Sequence, residues 1–190
     1  LKDVSGTVTV GTSTISGNTA HGITILDSDG TVSIDSSTLS GNSQSGLRSE
    51  NSTPSITANT ITTNAQYGLD VFGSAIPATV TGNDLTGNTR GSVLLAADAS
   101  TTPVADSNTL SNGVIWLSGG PIPGSAAWSS NFTYYVTNTI VVPDGLTLTI
   151  EAGTVVKFAM SDRSNFIYPG LAVASGGTLT ISGTVGEPVY

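Results

Sequence analysis

Residues 14–18 read Thr14-Ile15-Ser16-Gly17-Asn18, and this five-residue phrase returns along the first half of the chain. Its later copies are Thr38-Leu39-Ser40-Gly41-Asn42, Thr60-Ile61-Thr62-Thr63-Asn64, Asp84-Leu85-Thr86-Gly87-Asn88 and the shorter Thr109-Leu110-Ser111-Asn112. The asparagines at 18, 42, 64, 88 and 112 are separated by steps of 24, 22, 24 and 24 residues. A regular period of this length is typical of proteins built from stacked repeats.

Each period contains two further short apolar segments. One precedes the phrase and alternates β-branched with polar residues, as in Thr7-Val8-Thr9-Val10, and the other follows a glycine, as in Gly22-Ile23-Thr24-Ile25. Alternation with a period of two predicts strands with one buried face. We therefore predict an all-β solenoid with three short strands per coil of about 22–25 residues, each coil pairing in parallel with the next.

Equivalent residues of successive coils should then stack in inward columns. The first predicted column is Val8, Val32, Ile56, Val80 and Val104; the second is Ile15, Leu39, Ile61, Leu85 and Leu110; the third is Ile23, Leu47, Leu69 and Val93. At the bend after the second strand, Asn18, Asn42, Asn64 and Asn88 should form a structural ladder, because a side-chain amide both donates and accepts hydrogen bonds.

This repeat resembles the right-handed parallel β-helix shared by pectate lyases, polygalacturonases, phage tailspikes and many bacterial surface proteins. In the second half, the stretch 147–158, Thr-Leu-Thr-Ile-Glu-Ala-Gly-Thr-Val-Val-Lys-Phe, resembles the opening of tandem β-helix modules in large bacterial surface proteins. The stretch 118–124 interrupts the period, so 118–130 is predicted to be a Gly/Pro/Ser linker, and the step of 31 residues between the two Thr-Leu-Thr-Ile segments predicts an inserted loop at 160–169. The resemblance implies that residues 1–117 end one module and that 131–190 open a second. Both ends of the chain are expected to be cut from something longer.

Composition excludes some functions. Five Lys and Arg against 13 Asp and Glu give a net charge of −8, which disfavours nucleic acid because its phosphates require cations. No apolar run approaches the roughly 20 residues needed to cross a bilayer. Low charge and abundant small polar residues favour an extracellular or cell-surface setting.

Candidate catalytic and metal-binding residues are few. Enzymes that resemble this repeat use clustered aspartates, calcium-binding acids, or a catalytic Arg or Lys on an outer sheet. The only close acidic pair is Asp27 and Asp29, which is typical of a turn, with a calcium site as the alternative. His21, Arg48 and Arg90 are predicted to form no catalytic constellation, and no other metal or cofactor is expected.

Hydroxyl side chains flank the inward residues of the phrase and should face outward. This possible binding face comprises Thr14, Ser16, Thr38, Ser40, Thr60, Thr62, Thr86, Thr109 and Ser111. Threonine is favoured on exposed strands in general, but regular Thr-x-Thr ranks also resemble ice-binding solenoids, and a glycan-contacting face is a further reading.

The leading hypothesis is a non-catalytic structural or adhesive segment, such as a stalk, fibre or adhesin repeat. Its expected partners are neighbouring modules or copies of itself, stacked end to end, and surface glycans. The alternative is a fragment of a polysaccharide lyase or hydrolase, and the third reading is ice binding. Trp116 and Trp128 are expected to cover the junction between modules, with sugar stacking as the alternative.

Overall fold

The chain is an all-β parallel solenoid, as the repeat predicts. The computed structural model describes residues 1–96, 104–105, 107–160 and 168–190. One compact unit has Leu1–Leu94 as its main part and extends to Asn112; a second has Gly113–Tyr190 as its main part. In the described residues the regular elements are short strands and one single-turn 3-10 segment at Ser111–Gly113.

Eleven strands run up to residue 95, and they fall into three parallel sheets. They are β1 (Thr7–Gly11), β2 (Thr14–Ser16), β3 (Ile23–Leu26), β4 (Thr31–Asp35), β5 (Thr38–Ser40), β6 (Leu47–Glu50), β7 (Ser55–Thr57), β8 (Thr60–Thr62), β9 (Tyr67–Phe72), β10 (Thr79–Thr81) and β11 (Gly91–Leu95). The sheet orders are β1-β4-β7-β10, β2-β5-β8 and β3-β6-β9-β11. Each strand therefore pairs with the strand of the same rank in the next coil.

The second and third predicted columns have the register expected. Ile15 pairs with Leu39 and Leu39 with Ile61. In the third sheet Leu47 pairs with both Ile23 and Leu69. These side chains are buried from the second coil onward and form the apolar interior. Inward aliphatic residues stacked in this way supply most of the burial that stabilises a solenoid.

The first predicted column is partly wrong. Val8 does pair with Val32, but Ile56 pairs with Ile34 rather than with Val32. The continuous column is Val10, Ile34, Ile56, Val80 and Val104. The offset between paired residues is thus 22 residues from Ile34 to Ile56, as it is between the same two coils in the other sheets. A shift of two residues keeps the inward residues inward, because side chains alternate with a period of two.

Among the described residues after 113, nine strands again form three parallel sheets. They are β12 (Val114–Leu117), β13 (Gly120–Pro121), β14 (Ala126–Trp128), β15 (Thr133–Val136), β16 (Thr139–Val142), β17 (Thr147–Ile150), β18 (Val155–Phe158), β19 (Gly170–Val173) and β20 (Thr178–Ile181). Their orders are β12-β15-β18, β13-β16-β19 and β14-β17-β20. The repeated Thr-Leu-Thr-Ile segments, β17 and β20, lie side by side in register.

Residues 118–130, predicted as a linker, contain β13 and β14, which pair with β16 and β17. Pro121 is tolerated because β13 is an edge strand, where a missing N–H breaks no ladder. The linker prediction is therefore corrected for these strands, whereas the module boundaries stay a prediction. The loop predicted at 160–169 falls mostly on residues 161–167, which lie outside the described residues.

Candidate functional site

The asparagines of the repeated phrase form a column at one bend of the first unit. The Nδ2 of Asn18 donates to Oδ1 of Asn42 at 2.9 Å, that of Asn42 to Asn64 at 2.8 Å, and that of Asn64 to Asn88 at 2.9 Å. Each Oδ1 also accepts the backbone N–H of the preceding asparagine. The bonds between asparagines therefore all run toward the later coil, while Nδ2 of Asn42, Asn64 and Asn88 also donates to a backbone carbonyl of the earlier coil.

Sequence reasoning missed a second ladder at another bend. Asn59 Nδ2 donates to Oδ1 of Asn83 at 3.0 Å, and Asn83 Nδ2 donates to Asn108 at 2.9 Å. The column begins with serines, since the N–H of Ser13 donates to Ser37 Oγ and that of Ser37 to Asn59 Oδ1. The change from serine to asparagine along one column hid it from a search for a recurring letter. Both ladders satisfy buried backbone groups, as a bend inside a solenoid requires.

The hydroxyl face is regular over three coils and then changes. Thr14, Thr38 and Thr60 are in register, as are Ser16, Ser40 and Thr62. Asp84 follows Thr60 in the column and is itself followed by Thr109. Two of the remaining predicted members form hydrogen bonds. Thr86 Oγ1 donates to Asp84 of its own coil at 2.7 Å, and Ser111 Oγ accepts the N–H of Gly87 from the coil before it.

The acidic pair at the turn lies beside β3. Asp27 has a left-handed backbone (φ 47°), and its Oδ1 accepts from Asn51 Nδ2 at 3.2 Å. Among the described residues, no group of three or more His, Cys, Asp or Glu side chains is placed to hold a metal ion. The described residues also contain no helix long and apolar enough to span a bilayer.

A polar cluster that the sequence did not predict lies on the outer side of β6 and β9. Arg48 pairs in register with Asp70, and Glu50 pairs with Phe72. These residues alternate with buried inward ones, so their side chains leave the opposite face of the sheet. Arg48 Nη2 binds Glu50 Oε2 at 2.8 Å, and its guanidinium carbon lies 4.5 Å from the ring centre of Phe72. We call these four residues, with His21 and Ser45, the Arg48 cluster.

Asp70 is the most perturbed acid of the Arg48 cluster. Only 4% of the residue is exposed, and its Oδ1 is buried without a hydrogen-bond partner, while Oδ2 accepts from Ser45 Oγ at 3.5 Å. Burial raises the pKa of Asp70 to about 6, against the opposing charge of Arg48. Close to neutral pH the carboxyl can therefore exchange a proton, which ordinary surface carboxylates do only in acid.

His21 borders the same cluster. Its Nδ1 accepts the backbone N–H of Ser45 at 3.1 Å, so in the neutral ring Nε2 carries the proton. Burial lowers the pKa of His21, and the positive charge of Arg48 lowers it further. The ring is therefore neutral at physiological pH. Arg90 acts on a different residue, Tyr67. Burial raises the pKa of the Tyr67 hydroxyl, and the positive charge of Arg90 opposes this rise.

The step of 22 residues could have revealed the Arg48 cluster. Adding 22 to position 48 gives 70, so the shortened coil brings Arg48 opposite Asp70. The prediction that His21, Arg48 and Arg90 form no catalytic constellation stays a prediction, because lying opposite Asp70 does not by itself give Arg48 a catalytic role. The sequence does not indicate that Asp70 is buried, because side chains on the outward face of a strand are usually exposed to solvent.

The tryptophans differ in their surroundings. Trp128 is 1% exposed and stacks on Tyr134, with ring centres 4.8 Å apart and planes 11° apart. A sugar-stacking role for Trp128 is therefore wrong, because no face of its ring is accessible. Trp116 is half-buried, and its ring lies 4.3 Å from that of Tyr135 at an interplanar angle of 49°.

Comparison with known families agrees with this geometry. A family model described as "Right handed beta helix region" matches residues 1–184. The chain belongs to the right-handed β-helix family. This membership gives the handedness of the coils, which the strand pattern alone leaves open. Comparisons with curated proteins and with solved structures gave no significant match.

Proposed function

We propose that this β-helix is a non-catalytic structural or adhesive segment of a secreted or cell-surface protein. Family membership supports the scaffold but leaves the activity open, because one fold hosts many functions. A solenoid lengthens by adding coils, so it suits a stalk, fibre or adhesin repeat.

The observation that carries the proposal is the use of polar side chains in the first unit. Asn42, Asn59, Asn64 and Asn83 are buried, and their amides are occupied by bonds between coils. The outward positions beside them are mostly neutral hydroxyls. This arrangement joins each coil to the next by side-chain hydrogen bonds and leaves an exterior of mostly uncharged polar side chains in these columns. Neighbouring modules, copies of the same chain and surface glycans are the partners that such an exterior suits.

Localisation and turnover together test this role. An antibody against the chain should label the parent protein on intact cells or in the medium, and external protease should remove the signal. Incubation of the chain with pectin, alginate and neutral polysaccharides should release no reducing ends and no unsaturated products. An intracellular parent, or reproducible cleavage of any of these polymers, contradicts the proposal.

A second candidate, polysaccharide cleavage, is favoured by one observation. The Arg48 cluster combines a carboxyl of raised pKa with a guanidinium on the outer side of a β-helix sheet. A carboxyl that holds its proton near neutral pH can act as a general acid, and a cation can stabilise developing negative charge. If the chain cleaves a polysaccharide, Asp70→Asn and Arg48→Gln should each abolish cleavage. Thr9→Ala, at an exposed position of β1 on another sheet, is the matched control and should retain it. Cleavage that survives Asp70→Asn contradicts this candidate.

A further inference from the structure

Arg48 and Asp70 lie opposite each other in register on β6 and β9, but within the described part of the chain they form no ion pair. Arg48 Nη2 instead contacts Glu50 Oε2 at 2.8 Å, two positions along its own strand. The guanidinium also lies over the ring of Phe72, 4.5 Å from its centre. Arg48 therefore directs its charge to Glu50 and to an aromatic ring, and not to the acid opposite it.

Asp70 is buried without the partners that an ionised carboxylate needs. The residue is 4% exposed, and its Oδ1 has no hydrogen-bond partner among the described residues. The bond from Ser45 Oγ to Oδ2 is 3.5 Å long, whereas O–H···O bonds are usually about 2.5–3.0 Å. A buried charge is unfavourable unless it is paired and hydrogen-bonded. The observed arrangement therefore suits the protonated, neutral form of Asp70.

We propose that the Arg48 cluster is an ion-pair switch: Arg48 pairs with Glu50 while Asp70 is protonated, and turns to Asp70 when that carboxyl loses its proton to water. Adjacent strands lie about 4.8 Å apart, so Arg48 reaches Asp70 by a change of side-chain rotamer alone. The planar guanidinium offers several N–H donors, and two of them can bind one carboxylate together. The turn would thus give the orphaned Oδ1 its partner.

The exposures of the two acids decide which pair Arg48 prefers. The Glu50 side chain is 38% exposed, so water can hydrate its carboxylate after Arg48 has left, and the solvent weakens the present pair. Water reaches Asp70 far less, so an ionised Asp70 gains more from the same guanidinium. Burial raises the pKa of Asp70 from 3.8 to about 6. Arg48 at Asp70 stabilises the ionised form, so the midpoint of the switch should fall between these two values.

Three further titratable groups face this part of the sheet. Tyr67, whose pKa burial raises, stays neutral in this pH range, and Arg90 beside it stays charged. His21 differs, because burial and the charge of Arg48 lower its pKa from 6.5, toward the range in which Asp70 titrates. A test of the switch therefore has to separate Asp70 from His21.

The switch would give the outer side of β6 and β9 two states. In the acid state Arg48 neutralises Glu50 and covers Phe72, as in the structure. In the neutral-pH state the carboxylate of Glu50 is unpaired and the Phe72 ring is uncovered, so the surface is more negative at Glu50 and more aromatic. This inference requires neither the adhesive role nor polysaccharide cleavage, and it is tested without either.

Nuclear magnetic resonance of the isotope-labelled chain follows both sides of the switch between about pH 4 and about pH 8. The carboxyl carbon of Asp70 reports its protonation, and nuclear Overhauser effects between the Arg48 side chain and the Phe72 ring report the position of Arg48. We expect these Overhauser effects at the acid end and their loss at the neutral end. The loss should have the same midpoint as the Asp70 carboxyl carbon.

Variants assign the change to one group. Asp70→Asn removes the charge and should keep the Overhauser effects between Arg48 and Phe72 at every pH. His21→Gln should titrate like the unaltered chain, as should Asp29→Asn, the matched control at an exposed turn. Amide spectra of each variant establish that the fold is kept.

Three results would overturn the switch. They are Overhauser effects that persist at neutral pH in the unaltered chain, their loss in a folded Asp70→Asn variant, and abolition of the titration by His21→Gln. If Asp70→Asn does not fold, the unaltered chain still decides, because different midpoints for Asp70 and for the position of Arg48 contradict the proposal.

Discussion

Removing one asparagine from the middle of the first ladder should destabilise the first unit far more than removing the asparagine at its end. Asn64 is fully buried, and its side chain makes five hydrogen bonds. Two of them satisfy buried backbone groups, the N–H of Asn42 and the C=O of Leu39. A buried group left without a partner costs about 1–3 kcal/mol, so Asn64→Ala should lower the free energy of unfolding by about 3–5 kcal/mol.

Asn18→Ala is the matched control. Asn18 is exposed and its side chain donates a single hydrogen bond, to Asn42. The backbone N–H of Asn18 still donates to Asn42 after the substitution, so the loss should stay below about 1 kcal/mol. Both variants replace asparagine by alanine, so the difference between their losses of unfolding free energy measures the hydrogen bonds inside the ladder.

Denaturant unfolding followed by two signals provides the measurement. Far-ultraviolet circular dichroism reports all strands, whereas both tryptophans, at 116 and 128, lie in the second unit and report that unit by fluorescence. Free energies follow from linear extrapolation. A loss below about 1 kcal/mol for Asn64→Ala, or equal losses for the two variants, would refute the reasoning that interior ladder bonds satisfy otherwise orphaned backbone groups.

Three further predictions concern the same unit. The side chain of Asn83 makes the corresponding five bonds in the second ladder, so Asn83→Ala should match Asn64→Ala within about 1 kcal/mol in the same unfolding assay; a neutral result would deny that ladder a structural role. A Cβ on Gly46 would lie 2.2 Å from Ile61 Cγ2, whereas one on Gly6 meets nothing within 4 Å. Gly46→Ala should therefore lower the melting temperature and Gly6→Ala should not, and equal melting temperatures would contradict the packing. Burial raises the pKa of Asp70 from 3.8 to about 6, so the folded state keeps a proton that the unfolded chain has lost, and stability should fall as the pH rises from about 4 to about 6. Asp70→Asn should flatten this fall when unfolding is measured across that range, and an unchanged slope would assign the pH dependence to another group.

The fold could be predicted because its determinants are periodic. The inward residues Leu39, Leu47 and their equivalents recur at fixed steps, and a single face of each strand is apolar. The recurring asparagines could be read in the same way, because the amide is needed at one bend in every coil. What repeats in the structure for one physical reason also repeats in the sequence.

The rest depended on features that do not repeat. The first column was misassigned because Val32 and Ile34 are both inward residues of β4, and only the structure shows which of them faces Ile56. The Arg48 cluster comes from a single shortened coil that sets position 48 opposite position 70. The pKa of Asp70 depends on how much surrounding protein covers an outward side chain. None of these is a property of the repeated phrase.

The direction of the ladders has a consequence for how such a chain can change length. Every interior asparagine accepts from the coil before it and donates to the coil after it. The coils are therefore equivalent in this ladder: the Oδ1 of each interior asparagine accepts two bonds from the asparagine of the coil before, and its Nδ2 donates to the asparagine of the coil after and to a backbone carbonyl of the coil before. An in-frame duplication or loss of one whole coil re-forms the bonds between new neighbours and leaves unmatched groups only where they already were, at the ends. A deletion of part of a coil removes a rung or shifts the inward residues. Gene duplication in whole-coil steps is thus the mutation that this architecture tolerates best.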